Sequence, residues 1–183
     1  KTEAVTKFID SHDPKAVIDL GANDGTFAEL ASSKAFTIAL DIDPNAVNKM
    51  YKKNNGIQPL VCNLVNPSAS IGWGNKERPG ILQRIKEQNG SVLALALVHH
   101  LRITYGIPFD KQFELLASIT KHALVEYVPR DDSQVFQMMR GRDASIYTDY
   151  YRELFEKAIS KYFKEWDYFS IKDSTRTLYE IHV

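Results

Sequence analysis

The sequence predicts a doubly wound α/β fold: a mostly parallel, seven-stranded sheet with helices on both faces, ending in an antiparallel β-hairpin. Apolar segments alternate with amphipathic ones along the 183 residues, which is the pattern of repeated strand–helix units. Residues 92–98 (VLALALV) contain no polar side chain, as expected for a central parallel strand buried on both faces. Only residues 172–174 separate the last two strand segments, which favours a hairpin.

The other elements follow in order from the same two periodicities, and a single domain over residues 1–183 accommodates them all. Helices are predicted over 3–11, 25–33, from 44 onward, 78–88, 110–120 and 147–163. Strands are predicted over 16–20, 37–41, 59–64, 92–98, 122–128, 165–171 and 175–183. Asp43 is expected to cap the helix that begins at Pro44 rather than to bind a ligand. Asp131 and Asp132 are expected to lie in a loop or to cap the helix that follows them.

Composition limits the classes of partner. Lys and Arg number 23, as do Asp and Glu, so the formal net charge is zero and nucleic acid is a disfavoured partner. The single cysteine, Cys62, permits no intrachain disulfide, and no apolar segment approaches the roughly 20 residues of a membrane span. No signal peptide is visible, so we expect a cytoplasmic protein. Because the first residue is Lys1 rather than Met, the chain is compatible with being the C-terminal part of a longer one.

The most informative segment is residues 17–27 (VIDLGANDGTF). An apolar strand ends in Asp19-Leu20-Gly21, a turn of small residues follows, and Gly25 begins a helix. Such a turn brings backbone close to a nucleotide-like ligand at a helix N-terminus. Asp41 ends the next strand, where a carboxylate can accept both hydroxyl protons of a ribose. The turn and the acid together predict a nucleoside cofactor.

These residues resemble the first motif of class I S-adenosylmethionine-dependent methyltransferases, roughly Asp-x-Gly-x-Gly-x-Gly. In this chain Asn23 replaces the middle glycine, and Asn tolerates a positive φ better than most residues. The resemblance covers essentially the whole chain and implies a Rossmann-like fold that binds S-adenosyl-L-methionine. Segments 66–68, 71–79, 97–102 and 126–132 are similar to a narrower methyltransferase group that includes rhizobial nodulation host-specificity proteins.

The resemblance also implies roles for individual residues. The candidate cofactor-binding residues are Asp19, Gly21, Asn23, Gly25, Asp41, Ile42 and Asn63. Asn63 occupies the place where the family often has an Asp that contacts the adenine amino group. The alternative for Asn63 is an amide that orders the loop.

His99, His100 and Glu126 are the candidate catalytic residues, because they follow buried strands at the edge where such sheets bind ligands. A histidine there can remove a proton from an acceptor hydroxyl or amine. The alternative places one histidine beside the cofactor and the other under the sheet. The Glu126 carboxylate has two possible roles: it orients or deprotonates the acceptor, or it pairs with Arg102 or Arg130.

No metal site is expected, because the histidines show no zinc-binding spacing. His122 and Glu126 are wrongly spaced for zinc, while His12 and His182 lie near the two ends of the chain.

We therefore predict methyl transfer from S-adenosylmethionine to an acceptor that is a small molecule, with no membrane partner. One alternative is a module that binds the cofactor without catalysis, suggested by the departure at Asn23. A second is an NAD-dependent oxidoreductase, which the terminal hairpin disfavours because no catalytic domain follows the parallel sheet.

Overall fold

A seven-stranded sheet organises residues 1–53 and 55–183, the part of the chain that the computed structural model describes. Its strands are β1 Ala16–Leu20, β2 Phe36–Asp41, β3 Ile57–Val61, β4 Ser91–Ala94, β5 His122–Tyr127, β6 Glu165–Ser170 and β7 Thr177–His182. They lie in the order β3-β2-β1-β4-β5-β7-β6. Strands β1 to β5 are parallel, and β7 is antiparallel to both of its neighbours. The predicted fold class, with its terminal hairpin, is confirmed.

Helices cover both faces of this sheet. They are α1 Thr2–His12, α2 Thr26–Ser32, α3 Pro44–Lys53, α4 Ile81–Glu87, α5 Phe109–Ile119, α6 Ser133–Met139 and α7 Arg152–Tyr162. Neighbouring residues of β1 pack into the hydrophobic layers on opposite faces of the sheet, because successive side chains of a strand point to opposite faces. Val17 packs with Phe8 of α1, whereas Ile18 belongs to the layer that contains Phe113 of α5 and Phe155 of α7. Among the described residues, no helix is both long and apolar enough to cross a membrane.

Two strands end three or four residues earlier than predicted, and both ends shape the ligand edge of the sheet. β3 stops at Val61 rather than at residue 64, and Asn63 follows in a turn where its Oδ1 accepts from Val65 N at 3.0 Å. β4 stops at Ala94 rather than at residue 98. Its apolar run continues, but Ala96 has a φ of 51°, which no strand residue adopts.

The last helix also differs from prediction at its start. The apolar pattern predicts a helix from residue 147, whereas α7 begins at Arg152 after a short 3₁₀ turn at Ala144–Tyr147. Long-range contacts hold the intervening residues out of helical geometry. Tyr150 Oη donates to Val128 O at 2.6 Å, and Asp149 accepts from Arg102 Nε at 3.0 Å.

Candidate functional site

A cavity of about 740 Å³ opens at the carboxyl ends of the parallel strands. Open α/β sheets bind their ligands at this edge. Six of the seven residues predicted to bind the cofactor line it: Asp19, Gly21, Asn23, Asp41, Ile42 and Asn63. The seventh, Gly25, lies behind this wall. Of the three predicted catalytic residues, His100 lines the cavity, whereas His99 and Glu126 do not.

The turn after β1 has left-handed backbone at three of its predicted positions. Gly21, Asn23 and Gly25 have φ values of 74°, 49° and 82°. The N–H groups of Gly21 and Ala22 both donate to Leu40 O, at 2.8 and 2.9 Å, which ties the turn to β2. Asn23 therefore adopts the geometry that glycine usually supplies at this point of the turn.

Packing leaves no room for a side chain at Gly25. A Cβ at this position would lie 2.6 Å from Met50 Cγ, and Met50 is only 1% exposed. Gly25 also forms the N-cap of α2, where its left-handed backbone turns the chain into the helix. Its absent side chain therefore lets α3 approach the turn.

The Asp41 carboxylate faces the cavity and joins two loops. Its Oδ2 accepts from Asn23 N at 2.7 Å, and its Oδ1 accepts from Asp43 N at 2.8 Å. A carboxylate can accept about four hydrogen bonds, so each oxygen keeps capacity for a ligand hydroxyl. Asp43 caps α3 as predicted, because its Oδ1 accepts from Asn45 N at 2.9 Å.

Asp19 is the cavity's buried acid. It is 2% exposed, and burial raises the pKa of its carboxyl to about 7, with a smaller contribution from the charge of Asp41. A backbone hydrogen bond from Ala28 offsets part of this effect. Within the described part of the chain, Oδ2 has no hydrogen-bond partner. An unpartnered buried carboxylate oxygen in a cavity wall suits a ligand that brings a cation.

The position of Asn63 is compatible with both roles predicted for its side chain. It lines the cavity, and its Oδ1 also orders the loop through Val65 N. A carbonyl oxygen has two acceptor sites, so one of them is left for an amino group of a ligand.

The chain between β4 and α5 forms the opposite wall. Val98 and His99 begin a helical turn that widens to π geometry over His100–Thr104, a form that is frequent at functional sites. Before it, the left-handed Ala96 is held by its own N–H, which donates to Glu126 Oε2 at 2.7 Å. Strained backbone of this kind persists only where its surroundings fix it.

The two adjacent histidines have different environments. Their ring centroids lie 4.3 Å apart. His99 is 0% exposed, and burial, followed by the charge of His100, lowers its pKa to about 3. Neither ring nitrogen of His99 has a hydrogen-bond partner among the described residues. Burial also lowers the pKa of His100, which is exposed to the cavity, so both rings are neutral at pH 7.

Glu126 is a buried anchor for cations that line the cavity. It is 0% exposed, and its Oε1 lies 2.8 Å from Lys1 Nζ and 3.6 Å from Arg176 Nη1. Arg176 also donates from Nε to Asp132 Oδ2 at 2.8 Å. Asp132 caps α6 as predicted, because its Oδ1 accepts from Gln134 N at 2.9 Å.

The predicted pairing of Glu126 with Arg102 or Arg130 is wrong, because both arginines have other partners. Arg102 pairs with Asp149, and the Arg130 guanidinium lies over the Tyr151 ring at 4.8 Å.

Several residues that line the cavity could not be identified as site residues from the sequence. They are Lys1, Thr104, Tyr105, Gln134 and Arg176. Arg176 lies in the β6–β7 connection and Gln134 in α6, and they meet at 3.1 Å through a contact across 42 residues. Local patterns cannot show such a contact, although the predicted hairpin places its connection near this edge.

Strand order, terminal hairpin and cavity together define the class I methyltransferase fold. It differs from the dinucleotide-binding order 3-2-1-4-5-6 in that the antiparallel β7 lies between β5 and β6. The methyltransferase domain of bacterial CtHen1 superposes with a TM-score of 0.66 at 14% identity, over 100% of this chain and 97% of that one. Magnesium protoporphyrin IX methyltransferase from Synechocystis PCC 6803, solved with bound SAH, gives 0.61 at 15% identity, over 100% and 82%.

The sequence itself has a curated relative among rhizobial proteins. The chain is 34% identical over 185 residues to nodulation protein NoeA of Rhizobium meliloti (strain 1021). The match covers 98% of this chain but 38% of NoeA, so the chain spans less than half the length of that relative. No protein-family model matches the chain.

Proposed function

We propose that this chain is an S-adenosylmethionine-dependent methyltransferase domain acting on a small-molecule acceptor. The observation that carries the proposal is the cavity at the ligand edge of a methyltransferase fold, with Asp19, Asp41 and Asn63 in its wall. The proposal treats residues 1–183 as one domain, since all seven strands share one sheet. A cytoplasmic location is part of the proposal and rests on the sequence alone.

The wall residues suit the parts of this cofactor. The unpartnered Asp19 Oδ2 suits the ammonium of the methionine portion, and the remaining acceptor sites of Asp41 suit the ribose hydroxyls. Asn63 offers an acceptor to the adenine amino group, while Ile42, 49% exposed, offers an apolar surface to the ring. The ammonium, the ribose and the adenine of the cofactor therefore each have a matching group in the cavity wall.

The chain's own contribution to catalysis is orientation, exclusion of water and proton removal. S-adenosylmethionine, when bound, supplies a methyl group already activated by its sulfonium. His100 is neutral and lines the cavity, so it can take a proton from an acceptor hydroxyl or amine. His99 and Glu126 lie behind the wall, where they position His100, Ala96 and Arg176.

Two rival functions have less support. A module that binds without catalysis was suggested by Asn23, but Asn23 adopts the left-handed geometry and still donates to Asp41. An NAD-dependent oxidoreductase is disfavoured by the antiparallel β7 inserted in the sheet.

Methyl transfer tests the proposal directly. The purified chain is incubated with S-adenosylmethionine labelled in its methyl group and a panel of hydroxylated metabolites and sugars. We expect one class of acceptor to become labelled, and we expect His100→Gln to lower kcat by about 10²–10⁴-fold with unchanged affinity for S-adenosylhomocysteine. Binding of the cofactor without labelling of any acceptor would favour the non-catalytic rival.

A further inference from the structure

Three histidines from distant parts of the sequence meet at the edge of the sheet opposite the cavity. His12 is the last residue of α1, His122 is the first residue of β5, and His182 is the last residue of β7. The antiparallel register pairs His122 directly with His182. Both therefore lie at the amino ends of the parallel strands, and α1 brings His12 onto them.

The side chains of this cluster are close enough to share an ion. One ligand atom from each histidine lies within 4.8 Å of the others, and His122 Nδ1 is 2.9 Å from His182 Nδ1. Glu180 adds a carboxylate, with Oε1 3.6 Å from both His12 Nε2 and His182 Nε2. All four residues are partly exposed, so an ion can reach them from solvent.

The hydrogen bonds of His12 fix which of its nitrogens is available. Its Nδ1 lies 2.8 Å from Phe8 O, and a carbonyl oxygen can only accept, so Nδ1 carries the hydrogen. In the neutral ring Nε2 then has a free lone pair, which faces the Glu180 carboxylate. A backbone carbonyl on the second nitrogen is also how metal-binding histidines are commonly oriented.

A cation between His12 Nε2 and the Glu180 carboxylate would contact both groups. A single divalent ion can bind the neutral rings and the carboxylate together, and so satisfies all of them at once.

We propose that His12, His122, His182 and Glu180 form a binding site for a divalent transition metal, Zn²⁺. Three imidazoles and one carboxylate are a ligand set that zinc accepts in tetrahedral geometry. Four protein ligands complete that geometry, which is typical of a structural rather than a catalytic site. The ion would join the end of α1 to β5 and β7.

Titration with the metal alone tests this site. The tag-free chain is treated with a chelator, dialysed, and titrated with ZnCl₂ by calorimetry. We expect one Zn²⁺ per chain, and an affinity at least about tenfold weaker in His12→Gln and in His122→Gln. His100→Gln is the matched control, because it removes a histidine on the opposite edge and should leave zinc affinity unchanged.

A second readout separates ligand loss from misfolding. Melting temperatures are measured in chelator and in excess Zn²⁺, and each variant is compared with itself. We expect zinc to raise the melting temperature of the parent chain and of His100→Gln, but not of His12→Gln or His122→Gln. Absence of binding to the parent chain, or equal binding by the cluster variants and the parent, would overturn the proposal.

Discussion

At the scale of single residues, burial of the Asp19 carboxyl in the cavity wall has an electrostatic cost. This carboxyl has a pKa near 7 in the fold against an ordinary 3.8, so the folded state holds this proton more tightly than the unfolded chain. The contribution of Asp19 to stability therefore falls as the pH rises from about 4 to about 7. A bound ammonium would offset this loss, because it stabilises the ionised form.

The affinity for S-adenosylhomocysteine should consequently depend on pH. Its ammonium binds the ionised carboxylate best, so the affinity should rise roughly tenfold between pH 6 and pH 8. Asp19→Asn should bind more weakly and lose most of this dependence. Calorimetric titrations at several pH values measure both effects. An unchanged pH profile in Asp19→Asn would show that another group controls binding.

Asp41 and Asp43 form a matched pair for testing the ribose contact. Asp41→Asn removes the charge that faces the cavity and should weaken S-adenosylhomocysteine binding by about 1–3 kcal/mol, through lost charged hydrogen bonds. Asp43→Asn removes the same charge two residues away, and Asn caps a helix as well as Asp does. The dissociation constants of the two variants are compared. Equal affinities would remove the ribose assignment.

At the scale of elements, the turn from β1 into α2 depends on the missing side chain of Gly25. Gly25 and Gly106 both have left-handed backbone, with φ values of 82° and 71°. The new Cβ in Gly25→Ala would clash with buried Met50, whereas the Cβ in Gly106→Ala would meet no atom within 4 Å. Both should lose about 1–2 kcal/mol for the backbone, and Gly25→Ala about 1–3 kcal/mol more for crowding. Urea unfolding gives both free energies. Equal losses would mean that α3 moves aside without cost.

Most elements could be predicted from the sequence, because apolar runs and helical periodicity are local properties. The residues at which strands and helices begin or end were harder to predict. Residues 95–98 are as apolar as β4 itself, and only the contact between Ala96 N and Glu126 shows why the strand stops. The start of α7 likewise depends on Tyr150 and Asp149, which are held by residues more than 20 positions away.

At the scale of the whole molecule, the sheet separates two edges with different chemistry. The cavity lies at the carboxyl ends of the parallel strands, and the histidine cluster lies at their amino ends. Groups more than about 10 Å apart that contact different residues usually act independently, within about 0.5 kcal/mol. Zinc should therefore leave the affinity for S-adenosylhomocysteine unchanged within roughly twofold. A tenfold change, measured by calorimetry with and without Zn²⁺, would reveal coupling through the sheet.

The sequence could indicate those site residues that lie close together along the chain, but not those that only strand pairing brings together. Gly21, Asn23 and Asp41 belong to two short segments at adjacent strand ends, so their proximity follows from the strand–helix pattern. Two other contacts depend on the pairing of β5 with β7. One joins Arg176 to Glu126, and the other joins His122 to His182. For this reason the histidines near the chain ends were not expected to form a site.

Binding of S-adenosylhomocysteine, measured by calorimetry with NAD as the comparison, tests the central claim most directly. The cavity residues predict a complex of one ligand per chain with a dissociation constant on the order of micromolar, about −8 kcal/mol, and no heat with NAD. Binding of NAD in preference to S-adenosylhomocysteine, or binding of neither, would contradict the account.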